Sequence, residues 1–292
     1  MKYINKVEVN GTKLNVYTEG DGNVTIVFMA GNGVTSPVLE YRPLYHIMAE
    51  KYRIVVIEKA GYGFSEKMKK QRLLENLVAE DRAALEMAGI EPPYVLAPHS
   101  YSGFEAIYWA NTYPDEVEAI LSIDMGIPET AIQQAQELTE LKRLKMLDKQ
   151  FKLLHTISKD GLIAKLVKNK TENASGLMSG NYLDNEEKET YRGLFYRNIA
   201  NQEYYEEARL MTENARRADK TGIPKCPCCF YISDMPTMSK KVSWRQCALD
   251  YAEKCRGKVY LTDKGHMMYA LIPDEMAGHF SSFLKANNIG VK

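Results

Sequence analysis

The sequence predicts an α/β fold in which an eight-stranded, mostly parallel sheet is flanked by helices and interrupted once by a helical insertion. Three observations predict it. Short apolar runs alternate with stretches of helical spacing over residues 1–127. The segment from Thr130 to Asn214 is rich in Leu, Lys, Glu, Met and Tyr at helical spacing and carries no strand pattern. Strand character then returns at Cys228.

The elements follow in order. Ile4 to Val9 and Lys13 to Thr18 alternate polar with apolar residues around Asn10-Gly11, a dipeptide that favours a tight antiparallel hairpin. Four apolar runs come next: Val24 to Ala30, Tyr52 to Glu58, Tyr94 to Pro98 and Val117 to Asp124. Uninterrupted runs of this kind suit parallel strands covered on both faces. Between them Leu44 to Lys51, Leu73 to Ala88 and Gly103 to Thr112 have helical spacing. Beyond the insertion, Cys228 to Ser233 and Lys258 to Thr262 complete the eight strands, and Asp274 to Ala286 is helical. Residues 1–127 and 222–292 therefore form the core, and residues 128–221 form a helical cap inserted into it.

Charge and cysteine content narrow the function. Lys plus Arg and Asp plus Glu both total 38, which removes any global attraction to nucleic acid or acidic membrane and leaves a small molecule as the expected partner. Residues 1–20 lack the apolar core of a signal peptide, and no run reaches the roughly 18 apolar residues that span a bilayer. Five cysteines, an odd set, suit a reduced compartment, so the expected location is the cytoplasm. Cys226, Cys228 and Cys229 lack the paired loops of a structural zinc site and read as buried thiols.

The chemistry centres on Pro98-His99-Ser100-Tyr101-Ser102-Gly103, where an apolar strand gives way to a helix. A serine hydroxyl is a weak nucleophile; it needs exposure, a neighbouring base, and donors aimed at the oxygen that becomes negative. A strand-to-helix turn of the G-x-S-x-G type supplies the exposure. Here Pro98 and Ser102 stand where that pattern has glycines, and Pro98 removes a backbone donor inside the strand.

These residues, with Tyr113-Pro114-Asp115-Glu116-Val117 after one helix, resemble the nucleophile region of the α/β-hydrolase superfamily. Val27 to Gly33 looks like that family's His-Gly oxyanion loop, with Ala30 in place of the histidine, and Glu58 to Ser65 resembles its D-x-x-G-x-G-x-S segment. The resemblance covers the chain except the cap. It implies a serine hydrolase in which Ser100 is the nucleophile and the backbone N–H groups of Asn32 and Tyr101 form the oxyanion hole.

The resemblance also places the base at His266, which follows the last strand through Asp263-Lys264-Gly265. His46, His155 and His279 read as structural, and His99, next to Ser100, as a residue packed inside. Two acids compete. Most relatives carry theirs at the position of Pro236, so Asp234 arrives two residues early, whereas Asp124 ends a neighbouring strand where some members place the acid. Asp124 is favoured, with Asp234 as the alternative. The expected reaction is hydrolysis of a small-molecule ester or related carbonyl compound without metal or organic cofactor. Amide cleavage would call for an acidic cap residue such as Glu203, Glu206 or Glu207, and a binding protein that hydrolyses slowly is the remaining reading.

Overall fold

A computed structural model describes residues 2–68, 70–158, 176–237 and 239–290. Eight strands, β1 (Lys6–Val9), β2 (Thr12–Glu19), β3 (Thr25–Met29), β4 (Arg53–Glu58), β5 (Tyr94–Ser100), β6 (Val117–Met125), β7 (Cys228–Ile232) and β8 (Lys258–Leu261), form one sheet. Their spatial order is β1-β2-β4-β3-β5-β6-β7-β8. β2 pairs antiparallel with both β1 and β4, while β4 onward is parallel. The opening hairpin turns at Asn10 (φ +50) and Gly11 (φ +78), the pair of positive φ values that a two-residue turn requires.

Parallel strands joined by helices have both faces covered, and the side chains of β3 show how. Ile26 and Phe28 point into a cluster with Leu44, Tyr45, Phe280 and Leu284, from helices Arg42–Met48 and Pro273–Ala286. Val27 and Met29 point the other way, into a cluster with Leu77 and Trp109, from helices Leu74–Met87 and Ser102–Thr112. Period-two alternation in a wholly buried strand thus seats helices on each side.

Between β6 and β7 the described residues contain helices Pro128–Glu137, Glu140–Ser158, Asn185–Asn198, Gln202–Arg209 and Met211–Asp219, and no strand. Residues 159–175 of the expected cap lie outside the described residues. Two of these helices hang over the loops that follow β3 and β4. Asn198 Nδ2 donates to Thr35 O (2.9 Å) and Gly63 O (3.1 Å), and Asn201 Nδ2 donates to Gly61 O (2.5 Å). Deeper in, the Glu207 carboxylate, 0% exposed, accepts from Arg72 Nη2 (2.9 Å), Tyr62 Oη (2.5 Å) and Lys59 Nζ (3.4 Å). Burial opposes that charge, but Lys59 and Arg72 outweigh it and hold the carboxyl below its ordinary range. Among the described residues, no helix is long and apolar enough to cross a membrane.

Candidate active site

The end of β5 turns sharply into helix Ser102–Thr112, and Ser100 sits on the turn at φ +54, half-buried. A positive φ in a residue with a Cβ is strained, and such strain concentrates at functional turns. Gly31 shows why the loop after β3 must approach without a side chain. A Cβ on it would lie 2.6 Å from Ser100 Cβ and 2.8 Å from His99 O. Gly103 is constrained in the same way, since a Cβ there would meet Gly126 O at 2.3 Å.

Gly31 to Val34 form a turn closed by Val34 N–H to Gly31 O (3.3 Å), with Gly33 at φ +85 as the third residue. Asn32 occupies the second position, and its side-chain Nδ2 donates to Tyr204 O (2.9 Å) in the insertion. Among the described residues, the backbone N–H groups of Asn32 and Tyr101 are not taken up by other groups.

The structure brings His266 to Asp124: Nδ1 and Oδ2 are 2.6 Å apart. Asp124 reaches that position through a bulge. The β5–β6 register steps from His99↔Ile123 to Ser100↔Met125, which leaves Asp124 as the extra residue at φ +48. Its carboxylate also accepts from Ser233 N (2.9 Å), Ser233 Oγ (2.6 Å) and Trp244 Nε1 (2.8 Å). Burial works against the charge, but the His266 and Ser233 hydrogen bonds overcome it and hold the carboxyl below its ordinary value. Because an ionised carboxylate only accepts, His266 Nδ1 carries the proton of this bond, and in the neutral ring the lone pair is on Nε2. Asp234, by contrast, is exposed.

Among the described residues the Ser100 hydroxyl makes no hydrogen bond, to His266 or otherwise. Contacts of this kind commonly tighten only when substrate is in place. Three of the remaining histidines lie elsewhere. His46 and His155 are exposed, and His279 stacks on Tyr260 with ring centroids 4.0 Å apart. His99 is 1% exposed and packs against the His266 ring at 4.5 Å. Burial first, then neighbouring His266, push its imidazole down to about 3, so it stays neutral.

Of the three insertion glutamates, Glu207 is consumed by Arg72, Lys59 and Tyr62, and Glu206 pairs with Arg209. Glu203 is buried against Gly61, and its Oε2 has no hydrogen-bond partner among the described residues. Trp244, which grips Asp124, escapes sequence reasoning because it arrives from a helix after β7 with no motif around it. All five cysteines are unpaired, and no described group of three or more His, Cys, Asp or Glu residues could hold a metal ion.

No family model matches the chain. It is similar to the uncharacterized protein YbdG of Bacillus subtilis (strain 168), 35% identical over 219 residues, covering 75% of this chain and 65% of that protein. It is also similar to the 2-(acetamidomethylene)succinate hydrolase of Mesorhizobium japonicum, 26% identical over 119 residues, 41% of each chain. The aligned stretches thus span less than two thirds of these relatives. Among solved structures, Cfl2 from Burkholderia cenocepacia superposes with a TM-score of 0.67 at 19% identity, over 95% of this chain and 94% of that one. The enol-lactonase of Burkholderia xenovorans LB400 superposes with a TM-score of 0.66 at 16% identity, over 96% and 100%.

Proposed function

Because this chain has the α/β-hydrolase fold, we propose that it is a serine hydrolase that cleaves an ester or related carbonyl bond of a small molecule. One observation carries the proposal. His266 is oriented by Asp124 through a 2.6 Å hydrogen bond, in a loop that packs on His99, the residue before the strained Ser100.

In this reading Ser100 Oγ attacks the substrate carbonyl while His266 Nε2 takes the hydroxyl proton. Asp124 keeps the other proton on Nδ1 and stabilises the imidazolium. The oxygen that becomes negative is held by the N–H groups of Asn32 and Tyr101, which have no competing acceptor among the described residues. The His266 proton then leaves with the alcohol or amine. Water, deprotonated by the same Nε2, releases the acid and restores Ser100. No step calls for a metal or an organic cofactor.

Ester cleavage is supported by the enol-lactonase likeness, since a lactone is a cyclic ester. An amide is the second reading, favoured by the unpartnered Glu203 Oε2 as a group able to hold a substrate amine, and by the name of the Mesorhizobium relative. Five free thiols suit a reducing compartment such as the cytoplasm.

A fluorophosphonate probe tests the proposal directly. Mass spectrometry is expected to find one adduct, on Ser100, absent from Ser100→Ala. No adduct on the folded natural chain would leave a ligand-binding role as the better account. A panel of nitrophenyl esters and anilides would then separate ester from amide substrates.

A further inference from the structure

Resting on that reading of Ser100 and His266, we infer that His99 is a positioning residue that, through Tyr41, ties the oxyanion-side loop to the loop carrying His266. The ring is enclosed. Tyr41 and Tyr269 meet it edge-on at 5.8 and 5.1 Å, and the His266 ring lies on its remaining side at 4.5 Å.

Its two nitrogens have different partners, and those partners fix its proton. Nε2 is 3.2 Å from the backbone carbonyl of His266. A carbonyl only accepts, so Nε2 carries the hydrogen. Nδ1 then holds a lone pair and faces the Tyr41 hydroxyl at 3.2 Å, which must donate to it. The same hydroxyl accepts the Gly31 N–H at 3.3 Å. A directed chain results: Gly31 N–H to Tyr41 oxygen, Tyr41 O–H to His99 Nδ1, and His99 Nε2–H to the His266 carbonyl. The neutral imidazole suits this chain, because it keeps on Nδ1 the lone pair that accepts the Tyr41 hydroxyl.

Each end of the chain bears on the reacting groups. Gly31 is the residue whose Cα packs on Ser100, and it precedes Asn32. His266 is otherwise held from its side chain by Asp124, so the His99 bond is a second, backbone restraint on the same residue. Two restraints on opposite parts of one residue define where Nε2 sits relative to Ser100, and placement within about 0.5 Å is what proton transfer demands.

Substitutions that separate ring volume from hydrogen bonding test the inference. His99→Phe keeps the volume and removes both bonds, whereas His99→Gln can still donate from its amide to the His266 carbonyl. Two readouts are taken: the rate of fluorophosphonate labelling, and the downfield proton resonance of the His266 Nδ1–H bond, assigned by its loss in His266→Gln. His99→Phe is expected to label about tenfold or more slowly and to shift or lose the resonance; His99→Gln is expected to recover most of both. A folded His99→Phe with the natural rate and an unmoved resonance overturns the inference. If His99→Phe does not fold, Tyr41→Phe serves: a shifted resonance supports the chain and an unmoved one overturns it. Failure of the natural chain to label would remove the proposed hydrolase activity, while the resonance would still decide the role of His99.

Discussion

The hydroxyl of Ser102 lies 2.8 Å from the carbonyl of Met29 and accepts the His99 N–H at 3.0 Å. Met29 is the register partner of Pro98, which has no N–H to give. The Ser102 hydroxyl thus bridges the His99 N–H, the donor one residue past Pro98, and the Met29 carbonyl at the end of β3. Restoring the motif's usual glycine with Ser102→Gly should destabilise the chain by about 1–3 kcal/mol, because buried polar groups lose their partner. Urea denaturation measures this. A variant as stable as the natural chain would show that the hydroxyl contributes nothing.

Asp124 and Asp234 are predicted to respond oppositely to the same change. Asp124→Asn puts an amide opposite His266 Nδ1 and favours the wrong tautomer, so labelling of Ser100 and ester turnover should fall by about 10³–10⁴. Asp234→Asn, at an exposed position, should leave both rates within a factor of about two. Comparison of the two rates decides between the acids, and a large loss in Asp234→Asn alone would transfer the role to it.

Much of this arrangement was legible in the sequence, for physical reasons that differ by residue. Apolar runs revealed the strands because both sheet faces are buried, and Gly31, Gly61 and Gly63 stood out because backbone or carboxylate lies where a Cβ would go. Gly63 wraps the Glu58 carboxylate, whose Oε2 also accepts from Phe64 N at 2.6 Å. The choice of acid was harder, since it depends on a bulge at Asp124 that spacing alone does not disclose. Two further partners were hidden: Trp244, which donates to Asp124, and Tyr41, which donates to His99, come from distant segments, and their hydrogen bonds exist only once the chain has folded. Glu207, one of the acidic cap residues that amide cleavage would call for, lies instead in a buried ionic cluster whose other members are spread from Lys59 to Glu105.

That cluster yields a stability prediction. Glu207→Ala removes the shared acceptor of Arg72, Tyr62 and Lys59 while leaving both cations buried. Lys59 and Arg72 each lose one of two carboxylate partners and keep Glu105 and Glu80, so a loss at the low end for a broken buried pair, roughly 3 kcal/mol, is expected. Glu207→Gln should lose less, since its amide oxygen still accepts. Thermal melts of the two variants check the ranking: equal stability for both would mean that the acceptor oxygen contributes nothing, and Glu207→Gln as stable as the natural chain would mean that charge at this position is unimportant.

Two buried carboxyls predict how stability changes with pH. Burial lifts both Glu40 and Glu58 to about 7, in spite of backbone donors from Ser36 and Thr35 to the first and from Phe64 and Val38 to the second. In the unfolded chain each loses its proton near 4.5. Between these values the folded chain binds more protons, so this contribution is fully present below about 4.5 and is lost as pH rises through 7. It amounts to roughly 3 kcal/mol for each carboxyl. His99 acts in the opposite sense: its imidazole is held neutral by burial, and stability from it is complete above 6.5 and declines as pH falls toward 3. The fall due to the two glutamates should therefore run from about pH 4.5 to 7, partly offset by His99 below 6.5, and level off above 7. Urea midpoints taken across that range are expected to drop, and Glu58→Gln, which cannot ionise, should flatten the slope even if its stability is lower throughout. A midpoint in the natural chain that holds steady or climbs over the same range would contradict the assignment of protonated carboxyls to Glu40 and Glu58.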